Sequence, residues 1–196
     1  MTPVDRHLLT GPADAVAPLL LNKLLVHGEC VGRIAETEAY LPDDPASHSF
    51  RGRTPRNSTM FGPAGRLYVY FTYGMHWCAN VVTGHDGEGA AVLLRAVVPL
   101  AGLDVMRARR NDRSDLADGP AKLCQAFAIG AEHDGTDLLG DGPVMLLDDG
   151  VPPPAVPLAG PRVGITKAVD RAWRFRLPGD VPGGAGDSRP RRAHRP

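Results

Sequence analysis

A single mixed α/β domain is the fold class that the sequence predicts, and three observations carry that expectation. Segments of alternating, β-branched or aromatic character recur between residues 30 and 177, interleaved with short helical stretches. Gly and Pro number 23 and 19, so turns are frequent and the helical share is modest. The 196 residues, 43% of them hydrophobic, are enough to bury one substantial core.

Residues 13–25 read as a helix, with Pro18 near its start or at a kink. Residues 30–40 read as a strand whose alternation sets Ile34, Glu36, Glu38 and Tyr40 on one face. Residues 41–65 are polar and rich in Pro, Gly, Ser and Arg, and a loop of that length inside a compact domain marks function or disorder. Residues 66–73 and 77–83 are aromatic and β-branched strands, joined by a tight hairpin turn at Tyr73-Gly74-Met75-His76. Residues 90–98 are apolar on both faces, as in a buried strand, except at Arg95, whose charge there needs a partner. Residues 102–110 suit a short helix. Residues 119–129 suit another, opened by Gly119-Pro120 and stopped at Gly130. Residues 143–148, 161–165 and 173–177 read as strands. The domain is therefore expected at 1–178. Residues 179–196 form a tail of Gly, Pro and Arg that is expected to be disordered, with Arg189, Arg191, Arg192 and Arg195 able to add non-specific attraction to DNA.

Cys30, Cys78 and Cys124 are widely spaced and form no Cys-x-x-Cys pair, which suggests neither a zinc knuckle nor a disulfide framework. Reduced thiols in a cytoplasmic protein fit best. The N-terminus lacks the order of a signal peptide, and the apolar runs are too short or too broken to span a bilayer. The net charge is zero but unevenly spread. No Asp or Glu occurs between Pro45 and His85, where Arg51, Arg53, Arg56 and Arg66 lie, while acids crowd Asp104–Asp149. A basic surface confined to one region can bind phosphates without a basic total. The same arginines could instead cap carbonyls or pair with acids from elsewhere.

Two carboxylates, Glu36 and Glu38, stand roughly 7 Å apart on a regular strand. Like charges in a cleft raise at least one pKa, and a carboxylate poised to accept a proton from water is a general base. A solvated strand face with two salt bridges fits the same spacing. His48, in the acid-free loop, could bond a phosphate or a water, or be merely solvated. Tyr68 and Tyr70 point one way and Tyr73 the other. Tyr73 also sits at the turn, where a large ring is poorly buried. A ring on a hairpin tip can wedge into a base stack, leaving Tyr70 to stack on an extruded base. A hydrophobic sheet with tyrosines at its rim is the simpler alternative. Asn80 and Arg95 are polar groups in apolar surroundings, to be satisfied internally or by a ligand.

The segments Gly32–Tyr40, Ala46–Phe61, Gly65–Asn80, Val92–Leu103, Gly119–Ile129 and Pro161–Gly164 cover most of residues 14–178. In this order and spacing they resemble the alkyladenine, or 3-methyladenine, DNA glycosylase family, of mammalian type and also found in bacteria. The resemblance implies a curved antiparallel sheet with peripheral helices and a hairpin that protrudes into the minor groove. It implies Glu38 as the general base that activates water, with Arg95 near that water, and no catalytic role for Glu36. It implies Tyr40 and Tyr70 on the two faces of a flipped base, and His48 against the base pocket and a nearby phosphate. Asn80 would screen purines by their exocyclic groups. Tyr73 would fill the gap in the duplex, with Met75 beside it. Arg51, Arg53 and Arg56 would lie toward the phosphates, although the compact loop His48–Thr54 departs from the family pattern and leaves each contact open.

The implied activity is that of a monofunctional DNA glycosylase of base excision repair. It would release 3-methyladenine and 7-methylguanine from double-stranded DNA and leave an abasic site. Hypoxanthine is a neutral candidate whose proton donor is unassigned. No metal and no cofactor is called for. A cytoplasmic monomer that works at the nucleoid, with no membrane partner, is expected. None of Lys23, Lys122 and Lys167 falls in the aromatic and acidic cluster as a Schiff-base nucleophile. Two rivals stand beside this reading. A hydrolase of free nucleosides gives no reason for Tyr73 on a hairpin tip, and a non-catalytic lesion-binding protein gives none for an intact Glu38.

Overall fold

The computed structural model describes residues 1–179, so the expected tail lies outside the described residues. In chain order the elements are β1 (Thr2–Pro3), α1 (Arg6–Leu9), α2 (Ala13–Leu19), β2 (Leu24–His27), β3 (Cys30–Tyr40), a 3-10 helix (Pro55–Phe61), β4 (Leu67–Thr72), β5 (His76–Thr83), β6 (Ala90–Ala101), α3 (Leu103–Arg109), α4 (Pro120–Phe127), a second 3-10 turn (Ala131–His133), β7 (Val144–Asp148), β8 (Leu158–Gly160) and β9 (Arg174–Arg176). All strands join one curved antiparallel sheet in the order β1-β7-β2-β3-β6-β5-β4, with β9 on β3 beyond the end of β2 and β8 outside β9. This is the single mixed α/β domain that the sequence predicts.

Strands β3 and β6 are the spine, paired from Val31↔Ala101 to Tyr40↔Ala91. One face of the sheet carries the main core. There Ile34, Ala39, Leu67, Val81, Val92 and Leu94 belong to one buried cluster with Val16 and Ala17 of α2 and Leu123 and Phe127 of α4. The other face carries a smaller cluster of Met60, Tyr68, Val82 and Ala91, with Tyr40, Phe61 and Tyr70 at its edge. Apolar packing on both faces explains why β6 reads as a continuous hydrophobic run.

Three expectations need correction. The helix expected at 13–25 ends at Leu19, with Pro18 in its last turn. Asn22 adopts a left-handed φ of 71° and its N–H bonds Ile34 O, which stops the helix and turns Leu24–His27 into a strand between β3 and β7. The alternation over 30–40 is not strict. Register shifts between Ile34, Glu36 and Thr37 mark β-bulges. They leave Ile34 in the core, while the Thr37 hydroxyl donates to Ala17 O of α2 at 2.9 Å. Glu36 and Glu38 are thereby aimed away from the core face that Ile34 occupies. The strand expected at 161–165 lies instead at Leu158–Gly160, because Arg162 turns inward and the Val163 N–H is spent on a side chain. Residues 41–65 are ordered. The Asn57 amide accepts from Thr54 N–H at 2.6 Å and donates to His48 O at 2.8 Å and Gly52 O at 3.1 Å.

The three cysteines are free and buried. Among the described residues no helix is long and apolar enough to cross a membrane.

Gly32 sits where β3 passes closest to α4. A Cβ there would fall 2.7 Å from Val97 Cγ2 and 2.9 Å from Phe127 Cζ. Gly32→Ala is expected to cost about 1–3 kcal/mol through overpacking, read as a lower urea midpoint. An unchanged midpoint would contradict that close approach.

Candidate active site

The bulged segment of β3 and its neighbours build the acidic end of the site. Glu36 is paired with Ala96 of β6 and Arg176 of β9, and Glu38 with Leu93 and Arg174. Arg95 Nε donates to Glu36 Oε1 at 2.7 Å, and Arg95 Nη1 lies 3.3 Å from Glu38 Oε1. One guanidinium thus joins both carboxylates, which supplies the partner that a charge in an apolar strand requires. Glu36 also faces Arg174 Nε at 3.8 Å. Glu38 has no exposed surface. Its Oε1 accepts from the Val163 N–H at 2.8 Å and its Oε2 from the Tyr40 hydroxyl at 2.9 Å.

Burial holds Glu38 above its ordinary carboxylate pKa, against the pull of Arg95 and the two hydrogen bonds. The like charge of Glu36, invoked from the sequence, is the weakest of the influences. Burial and then the Glu38 charge push the Tyr40 hydroxyl well above its usual range, so it remains a donor. Burial alone would lower Arg95, but Glu38 and Glu36 lift it above its usual value and keep it cationic.

A cavity of about 250 Å³ opens beside these groups, lined by Tyr40, His48, Tyr70, Asn80, Arg95 and Val163 among others. Sites for drug-sized ligands run from about 300 to 1,000 Å³, so this one suits a single heterocycle. Tyr40, Arg95 and Val163 stand between the cavity and the Glu38 carboxylate. In the same lining the Tyr68 and Tyr70 rings lie 5.5 Å apart at 33°. His48 meets Tyr70 edge-on at 4.5 Å and shares a 3.0 Å hydrogen bond between its Nδ1 and the Tyr68 hydroxyl. Burial pushes Tyr68 up to about 12 and Tyr70 well above the ordinary tyrosine range, so both rings are neutral. Partial removal from water, and then the Arg56 charge, lower the pKa of His48. Asn80 Nδ2 donates to Tyr68 O at 3.0 Å, which orients its amide in the lining.

The hairpin tip stands beside this cavity. Tyr73 and Gly74 have left-handed φ values of 52° and 67°, and Met75 N–H donates to Thr72 O at 3.2 Å, as in a mirror-image turn. Strict alternation would place Tyr73 opposite Tyr70. The left-handed backbone takes it out of the alternation, so it borders the same cavity while 80% exposed. Met75, 68% exposed, stands next to it.

Arg51, Arg53 and Arg56 are exposed, and among the described residues none pairs with a carboxylate. Two of the four arginines in the acid-free stretch do cap carbonyls, Arg56 on Phe71 O at 2.8 Å and Arg66 on Gly135 O at 3.0 Å. A second hollow of about 420 Å³ shares His48 and Tyr68 with the first and is lined by Arg51, Arg56 and Lys167. Lys167, set apart in the sequence reading, is thus brought beside the arginines from the far end of the chain. Arg162 and Val163 were missed as well. Arg162 forms a fully buried ion pair with Asp44, and its guanidinium carbon lies 4.7 Å from the Tyr40 ring centre. The motif Pro161–Gly164 was visible, but reading it as a strand hid which way its side chains turn.

Residues 7–181 match the family described as methylpurine-DNA glycosylase. A curated relative from Burkholderia cenocepacia is 53% identical over 186 residues, covering 91% of this chain and 89% of its own. One from Methanoculleus marisnigri is 54% identical over 172 residues, 84% and 89% of the two chains, and one from Agrobacterium fabrum is 53% identical over 169, 85% and 84%. All three carry the provisional name 3-methyladenine DNA glycosylase. Together these matches define an enzyme of the DNA glycosylase class, a hydrolase of N-glycosidic bonds. The chain belongs to the methylpurine-DNA glycosylase family.

Because Glu38 has a raised pKa in the fold, its contribution to stability is complete below the unfolded value near 4.5 and is lost as pH rises through the folded value. In Glu38→Gln the amide oxygen can keep Val163 N–H and Arg95, and the amide nitrogen can donate to the Tyr40 hydroxyl oxygen, without the buried charge. Its stability advantage over the parent is expected to widen from pH 4 to pH 8 in urea titrations. A gap that does not change with pH would contradict the burial of an ionised Glu38.

Proposed function

We propose that this enzyme flips alkylated purines out of duplex DNA and hydrolyses their N-glycosidic bond, leaving an abasic site. Its substrates are 3-methyladenine and 7-methylguanine first, with hypoxanthine as a neutral candidate. The observation that carries the reading is a buried carboxylate, Glu38, set behind a cavity walled by Tyr40 and Tyr70, beside an exposed Tyr73 on a hairpin tip.

Extruding a nucleotide costs a few kcal/mol, which Tyr73 and Met75 offset by filling the gap. The base then lies between Tyr40 and Tyr70, each stack contributing about 1–3 kcal/mol. Alkylation at N3 or N7 makes the base cationic, which favours contact with aromatic faces and eases departure. Glu38 Oε2 accepts only the Tyr40 hydroxyl among the described residues, so it retains an acceptor position for a water. Tyr40 covers that oxygen, so the ring that stacks on the base also controls water's access to the carboxylate. Arg95, anchored by Glu36, keeps Glu38 oriented toward the anomeric carbon. His48 and Asn80 shape the pocket edge. Arg51, Arg53 and Arg56, with Lys167, hold the phosphates.

The family name and the names of the relatives support this reading. Lys23 is bonded to Asp148 and Lys122 to Asp115 and Asp118, while Lys167 lies in the outer hollow, so among the described residues no amine lines the base cavity as a covalent nucleophile. Strand scission is therefore not expected.

A panel of duplexes, each with one defined lesion, tests the proposal. Free methylated base and an intact, alkali-labile strand are expected, and little release from the free nucleoside. Release from nucleoside but not from duplex would overturn it. Glu38→Gln is expected to keep lesion-duplex affinity and lose about 10²–10⁴ in single-turnover rate. An unaffected rate would remove Glu38 from the role of base. Arg53→Gln and Lys167→Gln are each expected to lower the slope of log affinity against log salt by about 1. Unchanged slopes would mean that these cations face away from the DNA.

A further inference from the structure

The face of Tyr40 turned away from the cavity is covered. Arg162 lies over it, 4.7 Å from ring centre to guanidinium carbon, and lies 5.2 Å from the ring centre of Trp173. The side chains of Arg162 and Asp44 have no exposed surface. Arg162 Nη2 donates to Asp44 Oδ1 at 3.0 Å, Nη1 donates to Asp44 Oδ2, and Nη1 also donates to Ala39 O at 2.9 Å. These acceptors precede and follow Tyr40 in the chain, so one guanidinium brackets that residue from both sides. The next residue is Val163, whose N–H holds Glu38 Oε1. A buried ion pair is weak evidence of stabilisation in itself, since apolar groups of the same volume often do as well. What this one has that an apolar replacement lacks is direction.

We propose that Arg162, clamped by Asp44, is a positioning residue that sets the plane of Tyr40 and the Val163 N–H that orients Glu38. The inference rests on the glycosylase reading above. Asp44 has a second part in it. It offsets the Arg162 charge, so the ring that must meet a cationic base is not backed by a bare cation.

The test compares the full chain with Arg162→Lys, which keeps the charge but loses the planar fork, and with Asp44→Asn/Arg162→Met, which leaves no unpaired buried charge. Four quantities are read: hydrogen exchange at the Val163 amide, single-turnover release of 7-methylguanine at saturating enzyme, affinity for undamaged duplex, and the thermal midpoint. In the double variant, Val163 exchange is expected to quicken and base release to slow, each by about tenfold or more. Undamaged-duplex affinity and the midpoint should stay near the parent values, and Arg162→Lys should fall between. A folded double variant with parental Val163 exchange, or with a parental release rate, overturns the proposal. So does a loss of duplex affinity in proportion to the rate, which would mark a merely structural pair. If the double variant fails to fold, Arg162→Lys carries the same readouts. If the parent releases no base, the glycosylase reading fails, and Val163 exchange alone still decides whether Arg162 holds that amide.

Discussion

Three charged side chains, Glu36, Arg95 and Glu38, meet between β3 and β6 almost wholly buried. Isolated ions would be prohibitively costly there, so the arrangement persists only because every charge has a partner at hydrogen-bond or ion-pair distance. The rest of the site follows from this constraint. Arg95 must come from β6, so β6 must lie beside β3. Both oxygens of Glu38 need further donors, so Tyr40 must reach Oε2 and the loop bearing Val163 must close over Oε1. The bulge in β3 turns these acids away from the main core. The same burial that makes the carboxylate costly makes it a stronger base.

The exposed half of the site obeys a different rule. Tyr68, Tyr70 and Tyr73 lie on one strand and its turn, and the β4–β5 pairing fixes how far the buried rings stand from the exposed one. At about 3.3 Å per residue, Tyr70 and Tyr73 are separated by roughly 10 Å of backbone. The cavity and the tip cannot drift apart unless the hairpin is rebuilt. Beside them Arg51, Arg53 and Arg56 stand exposed, with no carboxylate partner among the described residues.

Much of this was legible in the chain. The strands at 30–40, 66–73 and 77–83 and the turn at Tyr73-Gly74 declare themselves through local periodicity and turn chemistry, and the structure contains them. Arg95 in an apolar run demanded an anionic partner, and Glu36 and Glu38 meet that demand. The run Leu20–Leu25 was misread because apolar residues at this density suit a helix or a buried strand equally. Asn22 decides between them only through a backbone bond to Ile34, twelve residues on.

By itself, then, the sequence determined what depends on neighbours within a few residues: strand and helix identity, the exposed ring on a tight turn, and an acid-free cationic stretch. Only the tertiary structure decided what depends on partners far along the chain. Asp44 meets Arg162, Glu38 meets Val163, Thr37 meets Ala17, and Lys167 comes to stand beside Arg51. The bulge that turns Glu36 and Glu38 away from the main core belongs to this second set. A one-residue bulge reverses the face of every side chain that follows.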